Sequence, residues 1–316
     1  MHICRLAGGQ LFDLKAEQRI FRIGDVEMGG RPGELPVVLI GSIFHEGHGI
    51  VTDRSTGKFD NIKARKLIAR QERASRRTGI PCMLDVVAET KEAMESNLSF
   101  VAGETDAPML VNATNADVRI HGVRHARDIG VLDRVVYDSI NYRVDDREVE
   151  MIRETGIESA LIQAFNPRNP TPRGMVDVIC GEDGLLQKSS DAGISKPILF
   201  TPVLDLPSVG FAARGTHLLK DSTGLPTGTA PVGVVGRTGK IAEMGLLVKQ
   251  TARSAVVSMC QSTGADYIIY GSLARARQIF PACAVVEAGI SYAARAEGIR
   301  SRPGSGPLNA LFRGPG

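Results

Sequence analysis

PCMLDVV (81–87), followed at nearly even intervals by PMLVNAT (108–114), RVVYDSI (134–140) and ALIQAFN (160–166), decides how this chain folds. Each run is an apolar strand carrying one polar residue: Asp85, Asn112, Asp138 and Gln163. They recur at close to the spacing of one βα unit, which predicts a ring of hydrogen-bonding groups at one end of a parallel barrel. An unpaired polar group in a dry strand end costs about 1–3 kcal/mol, so several at matching positions point to a shared partner. A flat, polar heterocycle is the partner expected there.

Four further runs complete the count: LPVVLIGSIF (35–44), PILFTPV (197–203), LPTGTAPV (225–232) and DYIIYGSL (266–273). Helix-sized segments separate all eight, which fits a TIM (β/α)8 barrel. Asp60 is placed to cap a helix running to Arg77, Asn115 one ending near Gly130, and Asp145 or Asp146 one ending at Gly156. Residues 239–264 read as one long helix closed by glycine. Before the repeat, residues 10–31 alternate apolar and polar around a Gly-Asp turn, predicting a hairpin over the N-terminal mouth. The divisions expected are therefore a hairpin extension (1–33), the barrel (34–297) and a flexible Gly/Pro-rich tail (298–316). An open dinucleotide-binding sheet fares badly, because no GxGxxG follows the first strand.

Composition narrows the function. With 43% hydrophobic and 23% charged residues, the 316-residue chain can bury a full core. Its 38 basic and 35 acidic residues are mixed, with no basic run to track nucleic acid. No apolar run approaches the ~18 residues of a membrane span, and the N-terminus lacks a signal-like apolar segment, so a cytoplasmic protein is expected. Five cysteines (4, 82, 180, 260 and 283) form no CxxC pair, which argues against a disulfide framework or a thiolate metal site. No metal site is predicted.

Other reactive groups carry less. His121 and His125 stand four apart but fall on an outer helix, away from the strand ends. His45 and His48 lie in the loop after the first strand, where they either line the site or decorate the loop. No predicted strand interior holds a lysine, although Lys196 precedes the sixth strand, and no GxSxG elbow occurs in the right context.

The stretches VEMGGRPGELPVVLIGSIFHEGHGIV, MLDVVAET, DAPMLVNAT, RVVYDSI, ALIQAFNPRNP and GADYIIYGSL, in that order, resemble the H subunit of tetrahydromethanopterin S-methyltransferase and its soluble relatives that methylate tetrahydrofolate. The similarity runs from about residue 10 to residue 290. It implies a pterin-binding TIM barrel that moves a methyl group between N5 of a tetrahydropterin (tetrahydrofolate or tetrahydromethanopterin) and the cobalt of a corrinoid. The implied pterin-facing residues are Asp85, Asn112 and Asp138, with Gln163, Asn166 and Ser42, and the catalytic pair is Asn112 and Asp138. Asp and Asn stand exchanged here relative to the family pattern at positions 112 and 138. No DxHxxG corrinoid motif occurs, so the corrinoid is expected on a partner protein, and the resemblance also implies a homodimer. Two alternatives stay open: a non-catalytic barrel that docks a corrinoid protein, and another pterin-binding enzyme of the dihydropteroate synthase kind.

Overall fold

The structure, a computed structural model, describes residues 11–302 and 306–312. Cys4 and the first part of the N-terminal segment lie outside the described residues. A hairpin of β1 (Ile20–Ile23) and β2 (Val26–Gly29) comes first. Eight parallel strands then close a barrel: β3 (Val38–Ile43), β6 (Cys82–Val87), β7 (Met109–Asn112), β8 (Val135–Ile140), β9 (Ser159–Gln163), β10 (Lys196–Thr201), β11 (Thr227–Thr229) and β12 (Tyr267–Ser272). β12 pairs back on β3. A small hairpin, β4 (Val51–Asp53) and β5 (Lys58–Phe59), sits in the loop after β3. Each of the eight predicted runs overlaps one barrel strand, with β9 and β10 starting one residue earlier, at Ser159 and Lys196.

The connecting helices are α1 (Asn61–Thr78), α2 (Lys91–Glu104), α3 (Ala116–Asp128), α4 (Asp146–Thr155), α5 (Pro172–Cys180), α6 (Leu185–Asp191), α7 (Val209–Thr223), α8 (Val232–Arg237), α9 (Gly239–Glu243), α10 (Leu246–Gln261) and α11 (Ala276–Ala294). α12 (Pro307–Phe312) packs on α11. Asp60, Asn115 and Asp145 accept backbone N–H bonds at the starts of α1, α3 and α4, the capping their short polar side chains favour. The single helix expected over 239–264 is instead two, α9 and α10. Gly245 separates them at φ +92°, a left-handed conformation that an α-helix does not accommodate.

Alternation along the strands explains the interior. Val38, Ile40, Met83, Leu110, Val136, Leu161, Ile198 and Tyr267 fill the barrel, joined by Ile23, Val26 and Met28 of the hairpin. Because strand side chains repeat with period two, the next inward position on each strand is two residues later. Those positions are Ser42, Asp85, Asn112, Asp138, Gln163, Phe200 and Ile269. A dry floor therefore ends in a largely polar layer at the C-terminal mouth.

Lys220 of α7, 1% exposed, gives Nζ to both Asp266 oxygens at 2.7 Å and to Gly30 O at 3.2 Å, tying the hairpin to the base of the barrel. Part of the segment read as a flexible tail is held down. Ser301 Oγ donates to Gly33 O at 2.8 Å, Arg302 N to Glu34 O at 3.1 Å, and the Arg302 guanidinium to Glu27 at 2.9 Å. No helix among the described residues is long and apolar enough to cross a membrane.

Candidate functional site

A cavity of about 520 Å³ opens at the C-terminal mouth, and Asp85, Asn112, Asp138 and Gln163 all line it. Asp85 is 3% exposed and accepts one hydrogen bond at each oxygen, leaving further lone pairs: Ser42 Oγ donates to Oδ2 at 2.5 Å and Asn112 Nδ2 to Oδ1 at 2.9 Å. Ser42 is the Cα partner of Asp85, whereas Asn112, opposite Val87 on β6 and Asp138 on β8, reaches Asp85 two residues back along the neighbouring strand. Asn112 keeps its carbonyl oxygen and a second N–H for a ligand.

The electrostatics separate the two acids. Burial pushes both carboxyls up, but Asp85 is pulled back by the donors Ser42 and Asn112 and by nearby His45. Asp138 has no such donors. Burial, and then the neighbouring Asp85 charge, drive it up to about 8, with Arg119 acting the other way. Both carboxyls are raised, and because the donors to Asp85 favour its charged form, a proton taken up by the pair is favoured on Asp138. One acid accepts hydrogen bonds while the other has one to give.

Behind Asp138 lies a buried cluster that the sequence did not single out. Arg119, 3% exposed, donates to Ala113 O at 2.7 Å and Thr114 O at 3.1 Å and pairs with Glu148 at 2.7 Å. Its guanidinium sits 5.1 Å from the centre of the Tyr137 ring, and Tyr137 Oη donates to the same Glu148 oxygen at 2.5 Å. The signal was its setting: an arginine between Val118 and Ile120 on the buried face of α3. Asn141, Tyr142 and Arg143, in the loop after β8, also line the cavity.

Not every candidate gathers here. Ser42 acts through Asp85. Asn166 is not among the cavity residues, because its amide builds the loop after β9, accepting from Arg168 N at 3.0 Å and donating to Gly174 O at 3.4 Å. His121 and His125 bond Glu95 and Ser99 on the outer helices. Lys196 begins β10 at the far end of the barrel and pairs with Glu158 at 2.8 Å. His45 and His48 stack 4.7 Å apart beside the mouth, and burial together with the His45 charge lowers His48 to about 4.

The arrangement suits a flat ligand with a polar edge. Carboxylate oxygens accept from ring N–H and amino groups, the Asn112 and Gln163 amides offer both polarities, and Asp138, when protonated, can donate to a basic ring nitrogen.

The sequence model of the family described as tetrahydromethanopterin S-methyltransferase MtrH subunit matches residues 16–302. The chain is 33% identical over 314 residues to the H subunit of tetrahydromethanopterin S-methyltransferase from Methanopyrus kandleri, covering 93% of this chain and 98% of that one. To the corresponding protein of Methanothermobacter marburgensis it is 34% identical over 296 residues, covering 90% and 95%. To the H subunit of the putative methyltransferase mtx from Methanosarcina acetivorans it is 32% identical over 298 residues, covering 90% and 94%. Among solved structures, the dihydropteroate synthase of Yersinia pestis superposes with a TM-score of 0.57 at 14% identity, covering 85% of this chain and 98% of that one, a likeness of fold alone.

Proposed function

The chain belongs to the MtrH family of tetrahydromethanopterin S-methyltransferase subunits, and from that premise we propose that it moves a methyl group between N5 of a tetrahydropterin and the cobalt of a corrinoid carried by a partner protein. The observation that carries this reading is the acid pair at the strand ends, both lining the mouth cavity, with Asp85 accepting from Ser42 and Asn112 and Asp138 left without such donors.

The ring edge of the pterin rests on Asp85, with Asn112 and Gln163 fixing its orientation. The methylated nitrogen then faces Asp138. A tertiary amine is a poor leaving group, and its departure is eased by a proton or a strong hydrogen bond as the carbon–nitrogen bond breaks. Asp138 supplies that hydrogen and, in the opposite direction, takes it back. The corrinoid, docked over the C-terminal mouth, supplies the nucleophile for the methyl group. Ser42 holds the Asp85 carboxylate in place, and Arg119 holds the wall behind Asp138. The working unit proposed is a cytoplasmic homodimer that receives the corrinoid protein at each mouth.

The test is methyl transfer from a 5-methyltetrahydropterin to free cob(I)alamin, followed by absorbance. The wild-type chain is expected to turn over, and Asp138→Asn to lose on the order of 10²-fold or more, the size of a general-acid contribution. Unchanged turnover in Asp138→Asn would remove the acid role. No turnover in the wild type would favour a docking barrel without catalysis.

A further inference from the structure

The cavity at the mouth is polarised. Asp85 and Asp138 line it at the strand ends, and of the two arginines among its lining residues Arg119 is neutralised by Glu148 at 2.7 Å. Arg143 is the other. It stands exposed in the loop between β8 and α4 and makes no ion pair among the described residues. Its place is set by its neighbours. Asn141 Oδ1 accepts from Arg143 N at 3.0 Å and Val144 N donates to Asn141 O at 2.9 Å, an Asx turn that fixes the loop. Lys188 of α6 holds the far end by giving Nζ to Val144 O at 3.1 Å, and Asp145 caps α4 through Glu148 N at 2.8 Å. Tyr142, which also lines the cavity, takes the Arg143 side chain: the guanidinium lies 5.4 Å from the ring centre and gives Nε to Oη at 3.0 Å. Phe165, in the loop after β9, packs against the same ring in a T, centroids 5.6 Å apart.

That bond uses Nε, and among the described residues neither Nη group makes another. The Tyr142 hydroxyl accepts from Nε and so keeps its own hydrogen to donate. Donors of this kind suit an oxyanion, and a guanidinium fork matches carboxylate or phosphate oxygens in geometry. The cavity thus offers acceptors at the strand ends and a cationic donor at the rim. We infer that Arg143, with the Tyr142 hydroxyl, forms the outer half of the binding site and holds an oxyanion on the tail of the tetrahydropterin whose ring lies on Asp85, Asn112 and Asp138. This rests on the tetrahydropterin reading. A ring edge rich in N–H and amino groups and a tail carrying carboxylate or phosphate match the polarity of the cavity end for end. The tail follows the loop after β8, and Arg143 sets preference among tetrahydropterins by what that tail carries. Because the guanidinium is exposed, its attraction is screened by salt, as a packing contact would not be.

Calorimetric titration with three ligands tests it: 5-methyltetrahydromethanopterin, whose tail carries phosphate and carboxylates; 5-methyltetrahydrofolate, whose tail carries carboxylates only; and an N5-methylated tetrahydropterin with a methyl group in place of the tail. At low ionic strength Arg143→Gln is expected to weaken at least one tailed ligand about tenfold, equivalent to ~1.4 kcal/mol, and to leave the tailless ligand unchanged. At ~1 M salt, where charges are screened beyond about 3 Å, the loss is expected to shrink to about threefold or less. Tyr142→Phe, which keeps the ring and removes the hydroxyl, is expected to give a smaller loss for the same ligand. Loss confined to the methanopterin compound names the phosphate, and loss for both tailed ligands names the carboxylates. Thermal unfolding of each variant at the wild-type temperature controls for folding. If Arg143→Gln binds the tailed ligands as the wild type does, or loses tailed and tailless ligands equally, the inference is overturned and the pterin site stands. A wild-type chain that binds none of the three would overturn the pterin reading and this inference with it.

Discussion

Asn112 donates through Nδ2 to Asp85 Oδ1 at 2.9 Å while standing opposite Asp138 in the register of the next strand. One amide thus sits between two acids and commits to the first. That choice leaves Asp85 as the acceptor and Asp138 as the proton carrier.

The proton on Asp138 sets a pH limit on turnover. A general acid works only while protonated, so kcat/KM for demethylating a methyltetrahydropterin is expected to be level below pH 8 and to fall about tenfold per unit above it. The pH profile of the wild type, set beside that of Asp138→Asn, checks this. A profile rising through pH 8 would contradict it.

The same group makes the free protein less stable than it need be. Asp138 takes up its proton at about 8 when folded and at 3.8 ordinarily, so between those values the folded state binds more protons and stability falls as pH rises. Asp138→Asn removes that penalty. It is expected to stabilise the ligand-free chain at pH 8 by about 1–3 kcal/mol, a range already reduced for the solvent that reaches the open cavity, with little gain at pH 4. Denaturant unfolding at the two pH values measures the difference.

Ser42→Ala strips one of the two donors from a buried carboxylate. The expected cost is about 1–3 kcal/mol of stability, together with weaker binding of a tetrahydropterin as Asp85 is driven further toward its protonated form. Unfolding and titration of the same variant would show both effects. A change in stability with unaltered affinity would mean that Asp85 does not meet the ligand.

Glu148 neutralises Arg119 and accepts from Tyr137 in the dry wall behind Asp138. Glu148→Ala strands a buried guanidinium, with an expected loss of about 3–5 kcal/mol in denaturant unfolding. A loss on the scale of an exposed site, below about 0.5 kcal/mol, would contradict the burial argument.

The barrel and much of its polar layer were legible because both depend on simple periodicities. Asp85, Asn112, Asp138 and Gln163 each fall two residues beyond an apolar inward residue, so strand alternation turns all four toward the mouth cavity. Asn166 followed a different rule: it lies past the end of β9, where loop closure rather than strand alternation claims its side chain. The split of residues 239–264 was hidden because Gly245 interrupts an otherwise continuous helical composition, and only its left-handed backbone reveals a break. Arg119 comes from a helix, and only its place between Val118 and Ile120 hints that it turns inward toward the strand ends.

The most direct measurement is calorimetric titration of the purified chain with 5-methyltetrahydromethanopterin and, separately, 5-methyltetrahydrofolate, with Asp85→Ala as the control. Micromolar binding of at least one, abolished in Asp85→Ala while the variant stays folded, is the predicted result. Binding of neither would contradict the pterin site and with it the proposed methyl transfer.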